Sequence, residues 1–159
     1  MTIHKILIAV DDSKYAENAA EFGFDMARVY KADVGLVSIV EPVIFPAAGT
    51  DTITGLSVET ANIKEMGLMQ LQSDSAGKII EQTTKKFGEG LQVTRFTEYG
   101  SSADGIIHCS HEFNADLIVL GTHNRTGLDR LLMGSVAEHV VRHSTIPVMV
   151  VPLRESESQ

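Results

Sequence analysis

The chain has no tryptophan, one cysteine and four prolines in 159 residues. A single cysteine, Cys109, excludes a disulfide within the chain and fits a reducing compartment. No stretch comes near the roughly 20 consecutive apolar residues that a membrane-spanning helix needs. The N-terminal stretch "MTIHKILIAVDD" holds a five-residue apolar run closed by two aspartates, too short for the core of a secretory signal. Basic clusters are missing as well: 13 Lys and Arg stand against 21 Asp and Glu, a formal net charge of −8. Nucleic acid and anionic membrane are therefore poor partners, because both attract cationic faces. Together these absences place the protein in the cytoplasm.

Several motifs are missing too. No G-x-G-x-x-G follows the first apolar run, so the dinucleotide fingerprint is absent, and so is the Walker pattern G-x-x-x-x-G-K-[ST]. A pyrophosphatase-type "SGG" loop is replaced by Asp11-Asp12-Ser13. A receiver domain would share the paired aspartates. It would also need a phosphoacceptor Asp after the third strand and a Lys after the last, where this chain reads "TEYG" and "VVPLRE".

What is present is an ordinary globular composition, 43% apolar and 21% charged. It predicts one domain over 1–159 that buries roughly 70% of its unfolded surface and needs no staple to fold. "KILIAV" at 5–10, "DVGLVSIV" at 33–40, "ADLIVLG" at 115–121 and "PVMVV" at 147–151 are short, apolar and β-branched-rich, as in parallel strands buried on both faces. "LQVTRFTEY" at 91–99 alternates, as a strand nearer an edge does. After Asp12 and Ser13, either of which can cap a helix, Ala16, Ala19, Ala20, Gly23 and Ala27 form a stripe of small residues at helical spacing. A second helix runs from about Thr60 to Phe87, with Ala76, Ile79, Ile80, Thr83 and Phe87 on one face. A third follows Ser101, which with Asp104 forms a capping-box pattern. Its inner face is Ala103, Ile106, Ile107 and Ser110. The fourth runs from Ser135 to His143. Between them, 41–59 holds two prolines and two glycines without any period and reads as a mobile loop. Residues 153–159 form a polar tail.

Strict alternation of strand and helix predicts an α/β fold: a doubly wound five-stranded parallel sheet with helices on both faces. Ligands in such folds bind beyond the carboxyl ends of the strands, at the switch in strand order. "GTHNRTGLDRLLMGS", from Gly121 to Ser135, lies on that side. Gly134-Ser135 opens a helix whose free N–H groups and dipole favour an anion. Thr122, Thr126 and Ser135 supply hydroxyls, and Arg125 a charge.

The pattern Gly121-x2-Asn124-x9-Gly134-Ser135, following "DLIVLG" and preceding "VAEHVVRHSTIPVMVV", resembles the universal stress protein family over roughly residues 3–152. The "AVDDS" end of the first strand matches too. The resemblance implies a Rossmann-like, adenine nucleotide alpha hydrolase-like fold. The family's nucleotide-binding branch carries Gly-x2-Gly-x9-Gly-Ser/Thr, binds ATP and often dimerises; here Asn124 replaces the second glycine. Carried over by position, Ala9 and Asp11 would meet the base or ribose, and Ile39 would flank the adenine. Gly121, Thr122, His123, Asn124, Arg125 and Gly127 would line phosphates and ribose. Gly134, Ser135 and Val136 would hold phosphates. The resemblance implies ATP as cofactor, with Mg or as another adenine nucleotide. It also implies a second copy as partner, joined through Pro147 to Val151, besides a protein partner of unknown identity. Asparagine is the non-glycine residue that best tolerates φ > 0, so the turn can form with Asn124 in place. The alternative is a nucleotide-free interaction module of the same fold, its pocket closed by Asn124.

No catalytic set stands out, so ATP turnover is at most slow. His139 and His143 at i, i+4, like His108 and His111, read as surface pairs without a third metal ligand, and Cys109 reads as an inert thiol.

Overall fold

The computed structural model describes residues 2–42, 58–122 and 134–153. Its elements alternate throughout: β1 (Lys5–Ala9), α1 (Lys14–Tyr30), β2 (Asp33–Val40), α2 (Val58–Phe87), β3 (Val93–Tyr99), α3 (Ser102–Phe113), β4 (Leu117–Gly121), α4 (Ser135–His143) and β5 (Val148–Val151). All strands pair in parallel in one sheet, in the order β3-β2-β1-β4-β5. The order runs outward from β1 on one side and then restarts on the other, so the switch point lies between β1 and β4.

Two apolar clusters sandwich the sheet. Ile6, Ile8, Val34, Leu36 and Val119 face α1 and the C-terminal half of α2. Leu7, Val37, Ile118 and Leu120 face α3 and α4. Alternate residues along each strand thus serve opposite faces, which is why the central strands read as unbroken apolar runs.

α1 lies flat because its inner face is small. Ala16, Ala19, Ala20, Gly23 and Ala27 are buried, with Phe24 filling the remaining depth. A Cβ at Gly23 would meet Ile8 Cδ1 at 2.6 Å. The helix starts at Ser13, whose side chain accepts from the Ala16 N–H at 3.1 Å. It stops at Lys31, in the left-handed region at φ 55°, whose N–H returns to the Ala27 and Arg28 carbonyls.

The structure corrects several sequence expectations. β1 ends at Ala9 rather than Val10. β3 begins at Val93 rather than Leu91, and β4 at Leu117 rather than Ala115. α2 begins at Val58, which takes the last two residues from the loop expected over 41–59. Residues 43–57 lie outside the described residues. Ser101 caps α3 by position but makes no side-chain cap hydrogen bond; the next hydroxyl, that of Ser102, donates to Glu41 Oε1 at 2.6 Å. The buried face of α3 includes Cys109 and Phe113, with Ile107 only half-buried. Burial above all, and then Glu98 and Glu112, push the Cys109 thiol up to about 12. With no cation bound it stays protonated at neutral pH. The expected edge character of β3 holds, and β5 forms the opposite edge.

Phe24 is fully buried and its ring lies 6.1 Å from that of Phe87, so it joins α1 to α2. Phe24→Ala is expected to destabilise the domain by about 3–5 kcal/mol, read as a lower urea midpoint at an unchanged slope.

Candidate functional site

The chain leaving β1 stays against the sheet: the Val10 N–H donates to the Val37 carbonyl at 2.9 Å. It then turns sharply. Asp11 Oδ1 accepts from the Ser13 N–H at 2.8 Å, and Ser13 in turn caps α1. Asp11 is thus a local turn device, since short carboxylates bond readily to the backbone two residues on. Both Asp11 and Asp12 remain exposed.

Beyond the carboxyl ends of β1, β2 and β4 opens a cavity of about 910 Å³, inside the ~300–1,000 Å³ range of small-molecule sites. Its apolar floor includes Ala9, Val37, Ile39 and Leu120. Its polar rim comes from four directions: Asp11 to Ser13 after β1, Glu41 after β2, Ser102 at the start of α3, and Gly134 to Val136 at the start of α4. α2 closes one side with Gln72, Ser75, Ala76 and Ile79. The Ser102–Glu41 hydrogen bond ties the start of α3 to the end of β2 across the rim.

Seven of the residues predicted for the site line this one cavity: Ala9, Asp11, Ile39, Gly121, Gly134, Ser135 and Val136. Thr122 does not line it; its N–H points along the sheet to the Val151 carbonyl at 3.3 Å. His123, Asn124, Arg125 and Gly127 lie outside the described residues. The floor and α2 side were missed in the sequence, apart from Ala9 and Ile39. Ala76 and Ile79 had been read only as a packing face, and no local pattern shows which packing residues border a void.

Gly121 and Gly134 serve by different physics. A Cβ at Gly121 would stand 2.5 Å from the Tyr15 carbonyl oxygen. This glycine therefore provides space for the first turn of α1 to lie across the end of β4, a reason beyond the turn after β4. Gly134 is the N-cap of α4 at φ −57° and ψ 153°, with no side-chain cap bond. Its carbonyl accepts from the Glu138 N–H at 2.9 Å. The N–H groups of Ser135, Val136 and Ala137 have no partner among the described residues and stand at the cavity edge, the positive end of the α4 dipole.

Charge on the described lining is otherwise negative. Asp11, Asp12, Glu41 and Glu138 line the cavity, and no Lys or Arg is among the described lining residues. The α4 amides are an electropositive feature at its edge.

This geometry defines the class: a Rossmann-like α/β protein with an open cleft at the switch point of its sheet. The sequence profile of the universal stress protein family matches residues 2–152. A universal stress protein of Methanocaldococcus jannaschii, MJ0531, is 32% identical over 155 residues, spanning 96% of this chain and 84% of the relative. The chain belongs to the universal stress protein family. Among solved structures, universal stress protein UspA from Lactobacillus plantarum superposes with a TM-score of 0.77 at 19% identity, covering 95% of this chain and 99% of that one. The universal stress protein from Archaeoglobus fulgidus in complex with dAMP gives 0.60 at 21% identity, covering 94% and 98%. At these identities the two structures speak to the fold alone.

The Gly121 contact is with backbone, which cannot swing aside. Gly121→Ala is therefore expected to cost roughly 1–3 kcal/mol through overpacking, measured by thermal or urea unfolding. An unchanged midpoint would mean that α1 does not sit this close to β4.

Proposed function

We propose that this protein binds an adenine nucleotide, ATP with Mg2+ foremost, and acts as a stress-response or regulatory homodimer of the cytoplasm. The observation that carries the reading is the α4 N-terminus, opening at Gly134 onto an apolar-floored cavity at the carboxyl ends of β1 and β4. Val37 and Ile39 offer an apolar surface for a purine, Asp11 an acceptor for ribose hydroxyls, and the amides after Gly134 donors for phosphate. The dAMP complex of the Archaeoglobus fulgidus relative supports an adenine nucleotide as the ligand. Phosphates beside the described carboxylates need compensation, and a divalent cation bound with the nucleotide supplies it.

β5 supports the dimer. It is an edge strand of half-buried Val148, Met149 and Val150. The Pro147 and Val151 carbonyls accept bonds from the β4 side. With the period of two along a strand, the amides of Val148 and Val150 face outward, ready to pair with a second copy.

Heat denaturation of the purified protein is expected to release stoichiometric ADP or ATP. If the sample is empty, calorimetry with millimolar Mg-ATP is expected to show binding that EDTA weakens. Gly134→Val is expected to abolish that binding by blocking backbone approach. Absence of both released nucleotide and binding heat would favour the nucleotide-free interaction module, for which the acidic rim is the supporting observation.

Val150→Pro removes an outward donor and no bond to β4. Sedimentation velocity is expected to show a monomer for this variant and a dimer for the unmutated chain; a dimeric variant would move the interface away from β5.

A further inference from the structure

α3 carries a second cluster of chemistry, one turn or more beyond the residues with which it borders the cavity. Gly105, His108, Cys109 and Glu112 are spaced i, i+3, i+4, i+7 and share one face of the helix. The first of them has no side chain. A Cβ at Gly105 would come within 2.7 Å of Ile39 Cδ1 and 3.6 Å of Glu98 Cβ, so glycine lets α3 lie tightly over the ends of β2 and β3. Glu98 on β3, in register with Ile39, is thereby brought against that face. Two residues earlier on the same side of β3, Phe96 meets Phe113 edge-on at 5.8 Å, which fixes α3 further along.

One ligand-capable atom from each of Glu98, His108, Cys109 and Glu112 lies within 4.8 Å of the other three. The four come from two elements and offer sulfur, nitrogen and carboxylate oxygen together. Their burial is graded: Cys109 is fully buried, Glu98 half-buried, and His108 and Glu112 exposed. The set is thus rooted in the core and open to solvent on one side. No lysine or arginine pairs with it among the described residues. The one ion pair of Glu98 is His108 Nδ1 at 3.9 Å, and the Glu112 carboxylate has no ion pair there. Two carboxylates, an imidazole and a thiol gathered this closely present a mixed donor set to a cation.

We propose that Glu98, His108, Cys109 and Glu112 form a four-ligand site for a zinc-class divalent cation that pins edge strand β3 to α3. Thiolate with imidazole and carboxylate suits zinc or cobalt(II); calcium and magnesium take oxygen ligands. Tetrahedral zinc holds its ligand atoms about 3.5 Å apart. From separations within 4.8 Å, no pair need close by more than about 1.3 Å, a distance the exposed His108 and Glu112 side chains can cover. On binding, the Cys109 S–H bond breaks, a metal–sulfur bond forms, and the proton leaves to solvent. Among the described residues, the exposed imidazoles of His139 and His143 on α4 have no comparable set: His139 Nε2 lies 3.3 Å from Asp104 Oδ1, and His143 Nδ1 meets the His139 carbonyl.

The test uses the full chain, stripped with a chelator and titrated with Co2+. One equivalent is expected to give near-ultraviolet thiolate-to-cobalt charge transfer and the visible bands of four-coordinate cobalt, both displaced by one equivalent of Zn2+. Cys109→Ser is expected to lose the charge-transfer band. Because Cys109 is buried and that variant can misfold, Glu112→Gln on the exposed rim carries the test independently. It is expected to keep the fold and lose at least tenfold in Zn2+ affinity, and Zn2+ is expected to raise the Tm of the unmutated chain but not that of this variant. The proposal is overturned if no charge-transfer band forms, if the band survives in folded Cys109→Ser, or if Glu112→Gln binds Zn2+ unchanged. It is also overturned if binding is lost in His139→Gln, which would assign the metal to the α4 histidines.

Discussion

The close seating of α1 on β1 and β4 is the constraint from which the rest of the architecture follows. It needs side chains of almost no size along the inner face of the helix, from Ala16 through Ala27, with Ile8 filling the place that a Gly23 side chain would take. It also needs Gly121, because the Tyr15 carbonyl occupies the space of a β-carbon there. Dense interiors tolerate little change of volume, so these positions decide where α1 can lie. With α1 in place, the chain turns tightly after β1 and the switch between β1 and β4 is left open as a cleft.

The cleft joins two chemistries that a short polypeptide separates with difficulty. Its floor is made of strand residues that would be core anywhere else, Val37, Ile39 and Leu120 among them. Its rim is made of chain ends: the turn after β1, the first residue after β2, and the first turns of α3 and α4. Parallel strands deliver all their carboxyl ends to one side, so apolar floor and polar rim meet without any special loop design. The same arrangement lets α3 serve two places. Its first turn borders the cleft through Ser102 and Ile106. Its later turns, seated closely by Gly105, bring His108, Cys109 and Glu112 against Glu98 on the outer strand.

Much of this was legible in the chain. The apolar runs at 33–40 and 115–121 and the helix from Ser135 to His143 carry their period in their own residues. The parallel sheet with helices on both faces followed from alternation and handedness. The glycine-and-serine start of α4 could be recognised from Gly134-Ser135, because capping is a local matter. Element ends were less legible: β1 ends at Ala9 although Val10 is just as apolar and both neighbouring strands run on. Ser101 and Asp104 carry a capping-box pattern whose side-chain cap bond does not form.

By itself, then, the sequence determined the α/β class, the parallel sheet, the family, and the location of the cleft beyond β1 and β4. Each of these depends on periodicity, spacing or local turn chemistry, which act over a few residues. The tertiary structure alone decided which packing residues border the cleft, why Gly121 must be glycine, and that Glu98 meets His108, Cys109 and Glu112. Those facts depend on how closely one element approaches another. That distance is set by side-chain volume on both partners at once, and no single stretch of chain contains it.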